Sequence, residues 1–459
     1  MEAECPGCRE RDARIAALEE RLAKVEGQLR DLTNPPEPPR PGPALPKGPA
    51  KQPTGKKPGA QPGHPPHAKE LVPPERVNET KIFLPAVCQH CQTALPQQAG
   101  PNDPAPVLHQ VAELPEVIAH ITEYQGHART CPCCGKVTRA AIPADIRAHC
   151  VGPRLTSTLS YFVGQQGVGK RGVAEIADVI FDARVSLGTI ANLEQEMSQA
   201  LRPAHQEAQR QVQQAPVKHV DETGWKQAGR KRWLWVAAST VAVVFLIQPL
   251  RDLTALQRLL GKVVRGIVCS DRWCVYNHIP VRRRQICWAH LRRNWEKLLE
   301  RGGKIKEIAE TCLSVQTRVF ELWHLFRGGG CTRAELKRKM QASRNELCNV
   351  LHWGARTGDR RTQRFCVRLL DVFAAMWTFV EVEGVEPTNN HGERVQRRAV
   401  LWRRRSFGCH SANGCRFVER ILTVVQSLHL QQRSVLPFLC EAIEAHRSGN
   451  LGPKLVTEG

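Results

Sequence analysis

No stretch of this sequence approaches the roughly 18 uninterrupted apolar residues that a helix needs to cross a bilayer, and this excludes a helical membrane span. The longest apolar run, near Val236 to Ile247, is broken by Ser239 and Thr240 and reads as strands. A signal-peptide core is also lacking: MEAECPGCRERD is charged from its second residue, so an intracellular, cytoplasmic protein is expected. Acidic residues are scarce, 44 against 66 lysines and arginines, which leaves a net charge of +22. Such a surplus points to a polyanionic partner, with nucleic acid ahead of an anionic membrane surface or simple solubility. The 18 cysteines do not read as a disulfide scaffold, because a reducing compartment makes metal binding the better account of the close pairs. The scattered single cysteines read as small buried apolar residues.

At 459 residues the chain is too long for one ordinary core, and two to four folded units are expected. Segment 1–33 holds Ile15, Leu18, Leu22, Val25, Leu29 and Leu32, a heptad seam flanked by charge. It reads as a short self-association coiled coil or as an amphipathic helix on its own domain. Segment 34–79 is a proline- and lysine-rich linker: 15 of the 32 prolines lie between Asn34 and Pro74, interleaved with Lys47, Lys51, Lys56 and Lys57. Segment 80–150, with two cysteine pairs among short extended runs, reads as a small metal-supported module. In 151–215 an amphipathic helix over Gly172 to Phe181 precedes one capped by Ser186 that carries Ile190, Leu193 and Met197 on one face. That is the outline of a helix-turn-helix, although any two packed helices share it. Segment 216–290 has the rhythm of a mixed sheet, with strands at Lys218–Asp221, Arg232–Ala238, Val241–Leu246, Gly266–Ser270 and Arg284–Cys287 and a helix at Leu253–Leu260. Helices fill 291–385; a basic helix opens 386–428, and 429–459 closes the chain as a helical segment.

Asp221 and Asp271 each follow an apolar strand, in His219-Val220-Asp221-Glu222-Thr223-Gly224-Trp225 and Val268-Cys269-Ser270-Asp271-Arg272-Trp273. A strand-end aspartate is ordinarily a turn or cap residue. Two on adjacent strands, with a third acid from a helix packed across that edge, instead make a cage of hard oxygen donors suited to Mg²⁺ or Mn²⁺. The third acid is Glu393, early in a helix that Thr388 or Asn389 can cap, with Glu383 and Glu386 as alternatives. Arg394, Arg397 and Arg398 follow it, and Arg403, Arg404 and Arg405 come next. One acid amid six arginines fits a helix whose arginines hold phosphates while the acid holds metal. The plainer alternative is a charge partner for the helix N-terminus.

Cys88-Gln89-His90-Cys91 and Cys131-Pro132-Cys133-Cys134 are two C-x-x-C knuckles; Cys88, Cys91, Cys131 and Cys134 together would close a structural Zn²⁺ site. Two unconnected turns of reduced cysteines is the other reading. Cys5 and Cys8 form a third knuckle that a second copy of the chain could complete. In Cys287-Trp288-Ala289-His290, the thiol is expected to pack while His290, with Arg292 or Arg293, positions DNA; a zinc role lacks its other ligands in sequence.

In these motifs and their order the chain resembles the DDE transposases of the insertion sequence 66 family. The resemblance takes in the heptads, Lys57-Pro58-Gly59-Ala60-Gln61-Pro62-Gly63-His64, the cysteine module, His219 to Trp225, the Asp271 motif, Cys287 to Arg293 and Asn389 to Glu393. It departs from the usual pattern at Arg272 and Trp273, where glycine and an aromatic residue are customary, and at Gly392, a poor helix former. It implies an α/β fold with a ribonuclease-H-like core in two parts, 216–290 and 386–428, around a helical insertion, and a zinc-binding module in 80–150. It further implies Asp221, Asp271 and Glu393 as a metal-binding triad for cutting and joining DNA. The implied partners are double-stranded DNA, both element ends and target, and at least one further copy of the chain to synapse two ends. Accessory proteins of the same element remain open, and the implied setting is bacterial and nucleoid-associated. A catalytically inactive DNA-binding descendant, or a nuclease that nicks without joining, are the competing functions.

Overall fold

The computed structural model describes residues 71–456 except 97, 99, 101 and 102. The heptad seam, most of the linker and the Cys5–Cys8 knuckle lie outside the described residues. The contacts divide the chain after Glu113 into two compact units. The described residues of the first unit include a 3-10 turn at Pro74–Arg76 and the Cys88–Cys91 knuckle, where Cys88 N–H donates to Thr93 O (2.8 Å) and Gln92 N–H to Cys88 O (2.9 Å).

The second unit opens with a small antiparallel hairpin, β1 (Ala128–Thr130) and β2 (Val137–Arg139), whose turn carries Cys131 to Cys134. Helices α1 (Ala144–Arg147), α2 (Pro153–Gly164), α3 (Lys170–Phe181), α4 (Leu187–Ala200) and α5 (Arg202–Gln214) follow. Ser186 caps α4 as expected, its hydroxyl accepting from Thr189 N–H. Then come β3 (Val217–Gln227), β4 (Arg230–Ala238), β5 (Val243–Gln248), α6 (Leu253–Leu260), β6 (Ile267–Ser270) and β7 (Arg284–Ile286). The five strands form one sheet in the order β5-β4-β3-β6-β7. The β5-β4-β3 half is antiparallel, and β3-β6-β7 is parallel.

One expectation is corrected here. The first strand of the sheet does not stop at Asp221 but runs on to Gln227, because its antiparallel register with β4 continues to the Gln227–Arg230 pair. Ala228 and Gly229, both at positive φ, close that hairpin in two residues. Polar Glu222, Thr223 and Gly224 resemble a turn in sequence, yet backbone pairing with β4 carries them as strand.

An edge strand buried along its whole length needs partners for its free N–H groups. On β5 these are supplied by a helix. The N–H groups of Val243, Phe245 and Ile247 donate to Ser427 Oγ (2.9 Å), Thr423 Oγ1 (3.0 Å) and Glu419 Oε1 (2.6 Å). Four residues of helix advance about 6 Å and two residues of strand about 6.7 Å, so the two repeats stay in step over three pairs.

After β7 the chain is helical: α7 (Trp288–Leu299), α8 (Gly303–Arg327), α9 (Arg333–Gly354), α10 (Arg360–Leu370), α11 (Thr378–Glu381), α12 (Asn390–Ser406), α13 (Ala412–Leu430) and α14 (Val435–Ser448). Helices α7 to α11 bury their own core against β6 and β7, built around Trp288, Trp295, Trp323 and Trp377. A second core joins one sheet face to α2–α5 and α12–α14, and a third joins the opposite face to α6. No helix among the described residues is long and apolar enough to cross a membrane.

Candidate active site

The parallel half of the sheet brings the two aspartates to one level. His219 pairs with Cys269 as the last pair across β3 and β6, and Asp221 and Asp271 each follow two residues later, Asp271 just past the end of β6 and near enough for its charge to act on Asp221. Side chains alternate along a strand, and Asp221 shares its face of β3 with Trp225, which packs toward α12, while Val220 faces the opposite core. Ser270 pairs with Ile286 across β6 and β7, which brings Cys287 alongside Asp271. Asp221, Asp271 and Cys287 thus form a row at the carboxyl ends of the two parallel pairings, where open α/β sheets bind ligands.

Helix α12 lies across this row, held by Asn389. That residue occupies the N-cap position, but its side chain makes no cap hydrogen bond, contrary to the expectation from sequence. Instead Nδ2 donates to Val220 O (2.8 Å), Oδ1 accepts from His219 Nδ1 (3.0 Å), and the backbone N–H donates to Cys287 Sγ (3.1 Å). Burial pushes the His219 imidazole down to about 4, so the ring is neutral and its Nδ1 carries the proton that bond needs. Gly392 explains itself here. A Cβ at that position would stand 3.1 Å from Asn389 Oδ1 and 3.3 Å from the Cβ of His219, so the residue that weakens the helix permits its close approach.

Glu393 follows in the first turn of α12, its Oε1 3.5 Å from both His290 Nδ1 and Arg293 Nη2. One turn on, the Gln396 amide, in the orientation its neighbours require, donates to Asp221 Oδ2 (2.9 Å) and accepts from Thr223 N–H (3.2 Å). Asp271 Oδ1 accepts from Trp273 N–H (2.8 Å), and its Oδ2 lies 3.8 Å from Arg251 Nη2. Burial, followed by the charges of Glu222, Asp271 and Glu393, pushes Asp221 up to about 7. Three oxygen-donor side chains from separate elements, two of which raise the proton affinity of the third, are a set that a hard divalent cation would satisfy. The residues fit such an ion.

The alternative third acids stand apart from this group. Glu386 pairs with Arg327 (2.6 Å), and Glu383 is exposed. Of the arginines, Arg394, Arg397, Arg398 and Arg404 are exposed and have no ion-pair partner among the described residues. Arg403 departs from the expected phosphate role: its guanidinium turns inward to Thr223 Oγ1 (3.0 Å) and the Gly224 carbonyl, bracing the extended part of β3. Arg405 donates to Gln166 O (2.7 Å). Arg292 is exposed and pairs with Glu296 (3.0 Å).

The residue-by-residue reading missed a buried network behind the carboxylates. Glu222, 1% exposed at its side chain, accepts from Arg251 Nε (2.7 Å) and Nη2 and from the Tyr276 hydroxyl. Arg251 also lies over the Trp273 ring, 4.0 Å from its centroid. The Asp221-Glu222 doublet was the available signal, since alternation sends adjacent strand residues to opposite faces and each then needs its own partners. In the cysteine knuckles, hydrogen bonds from Thr93 hold the Cys91 thiol below its ordinary range, and the backbone N–H groups of Cys134 and Cys133 do the same for Cys131. That favours the thiolate a metal needs.

A family model described as Transposase IS66 family matches residues 149–416, a span holding the whole five-stranded sheet, the helices from Trp288 to Ser406 and all three carboxylates. The chain belongs to this family. A comparison with curated proteins gives no match. Membership supports a transposase function and, with it, an enzyme of the nuclease or transferase class, and such enzymes typically use a divalent metal. Of the chemistry-bearing positions read from sequence, the matched span includes Cys287, His290 and the arginines of α12; the four knuckle cysteines lie before it.

Proposed function

We propose that this IS66-family chain cuts DNA at the ends of its mobile element and joins the freed 3′-hydroxyls to target DNA, with Asp221, Asp271 and Glu393 holding divalent cations. The observation that carries this is the common level of Asp221 and Asp271 on adjacent parallel strands, beneath the first turn of the helix that bears Glu393. The order of three antiparallel strands followed by two parallel ones, β5-β4-β3-β6-β7, supports a ribonuclease-H-like core with the helices from Trp288 to Glu381 as its insertion.

Bound Mg²⁺ or Mn²⁺ would supply Lewis-acid stabilisation and activation of the attacking oxygen in an in-line displacement at phosphorus. The chain's own residues do the rest. Gln396 fixes the rotation of Asp221, Trp273 N–H and Arg251 fix that of Asp271, and Asn389 sets the depth of Glu393. Arg394, Arg397, Arg398 and Arg404 project from the same helix to hold phosphates, with His290 and Arg292 contributing from α7. The Arg292–Glu296 pair is exposed and is exchanged for a phosphate at little cost.

The test is strand transfer of labelled element ends with Mg²⁺. Glu393→Gln should lower joining by on the order of 10²-fold or more while end binding persists. Equal joining by variant and parent sinks the triad, and an inert parent favours a DNA-binding descendant. Labelled ends that are nicked but never appear in target DNA point to a nuclease.

Four further parts belong to the proposal. Cys88, Cys91, Cys131 and Cys134 hold one structural Zn²⁺; α3 and α4 act as a helix-turn-helix on the element ends; the heptad seam pairs two copies for synapsis, with element-encoded accessory proteins as further partners; and the protein works in a bacterial cytoplasm on the nucleoid. Within each knuckle taken by itself, the backbone turn and the lowered thiol support metal binding. Cys131→Ser should drop the zinc content by one equivalent and weaken binding to element ends. Zinc content equal to that of the parent removes the assignment.

A further inference from the structure

Among the described residues one group of three or more metal-type side chains gathers its ligand atoms within 4.8 Å of one another, and it is not the carboxylate triad. It is Cys287, His290 and Glu393. Cys287 follows β7 directly, His290 lies within the first turn of α7, and Glu393 arrives from the first turn of α12, 106 residues after Cys287. The thiol is buried at the base, while the imidazole and carboxylate are 25% and 38% exposed, so a fourth position opens to solvent. His290 Nδ1 is itself fully buried and has no hydrogen-bond partner, although Glu393 Oε1 stands 3.5 Å away. An orphaned ring nitrogen facing a thiol and a carboxylate is a defect in a purely structural cluster and an asset in a ligand set.

We propose that Cys287, His290 and Glu393 form a binding site for a soft or borderline divalent cation such as Zn²⁺, one that shares Glu393 with the catalytic carboxylates and so sets zinc against magnesium. Thiolate and imidazole select zinc over the hard cations that carboxylates prefer. Ligand atoms around tetrahedral zinc stand about 3.3–3.8 Å apart, so closing the trio on an ion takes side-chain rotation of about 1 Å. Binding transfers the thiol proton to solvent; burial holds this thiol up, and the bound dication together with the helix N-terminus at Cys287 offsets that cost. An ion held here takes the Glu393 carboxylate out of the set formed with Asp221 and Asp271. The binding claim stands on the trio alone; the antagonism rests on the catalytic reading proposed above.

The experiment uses the full chain and two probes, Co²⁺ for binding and Zn²⁺ for inhibition. Cobalt titration of Cys287→Ser should saturate one equivalent earlier than the parent, with a weaker thiolate-to-cobalt charge-transfer band. In Mg²⁺-supported strand transfer, with each protein scaled to its own uninhibited rate, the Zn²⁺ concentration for half-inhibition should rise about tenfold or more in the variant. Identical cobalt stoichiometry and spectra overturn the site. A lost equivalent with unchanged zinc inhibition overturns the antagonism. If the parent shows no strand transfer, the catalytic reading fails, and the cobalt titration still decides the site. Should Cys287→Ser not fold, Glu393→Gln removes a different ligand from a solvent-facing helix turn and must weaken cobalt binding at the same equivalent.

Discussion

Asp221→Asn should abolish joining and at the same time make the chelator-treated protein more stable at pH 8. The first effect, a loss on the order of 10³-fold or more, follows from removing one of three anionic donors from a site that must hold divalent cations. The second follows from the proton affinity of Asp221, pushed up to about 7 from an ordinary 3.8 by burial and by neighbouring acids. Below pH 4 the side chain is protonated whether the chain is folded or not. Between pH 4 and 7 the unfolded chain releases that proton while the folded one keeps it, so stability falls as pH rises through this window. By pH 8 the folded protein carries the whole cost, with a ceiling on the order of 4 kcal/mol. Asparagine carries no charge, at the cost of one of the two bonds the carboxylate accepts, from the Gln396 amide and from Glu222 N–H. Melting curves at pH 5 and pH 8 with chelator should therefore show the variant gaining on the parent only at the higher pH. Mg²⁺ should raise the parent's Tm and leave the variant's nearly unchanged. A variant less stable than the parent at pH 8, or one still able to join DNA, contradicts the placement of Asp221 among mutually repelling acids.

The positions of the acids were legible because each marks a change of pattern. Asp221 and Asp271 interrupt apolar strands, and Glu393 interrupts a run of arginines. What fixes them in space was not. β3 runs past Asp221 because β4 pairs with it as far as Arg230, a non-local fact that the polar string Glu222-Thr223-Gly224 disguises. Asn389 looks like a helix cap at the level of residue type, and only the arrival of His219 and Val220 from 170 and 169 residues away redirects its amide. Arg403 is indistinguishable in sequence from its exposed neighbours, yet a helix rotates successive residues by about 100°, and that alone turns it toward Gly224. One non-local feature did leave a local trace. Glu419, Thr423 and Ser427 form a polar stripe at a four-residue period on an otherwise apolar helix, which is the spacing needed to satisfy every second N–H of a strand edge. The third ligand of the Cys287–His290 pair left none, because Glu393 reaches it only through tertiary packing.

Trp402→Ala should be among the most destabilising single changes in the second unit, and it should disable the site without touching a carboxylate. The Trp402 ring stacks on Trp225, with centroids 5.4 Å apart and planes 15° from parallel, and its Nε1 donates to Val163 O (2.9 Å). It thereby ties α12 to β3 and to α2, three turns after Asn389 anchors the other end of the same helix. Truncation of a buried tryptophan costs about 3–5 kcal/mol through lost burial and a residual cavity, and the Val163 carbonyl loses its partner as well. Urea unfolding should register that loss, whereas Trp402→Phe, which keeps the stack and gives up only the N–H bond, should cost about 1–2 kcal/mol. The functional consequence is separable from global stability. At a temperature where Trp402→Ala is still fully folded, joining should fall about tenfold or more, because a helix without its aromatic anchor no longer fixes the depth of Glu393. Full activity under those conditions would mean that Asn389, Gln396 and Arg403 position the helix without the ring. Equal destabilisation in the Phe and Ala variants would assign the contribution of Trp402 to its hydrogen bond and not to the ring stack.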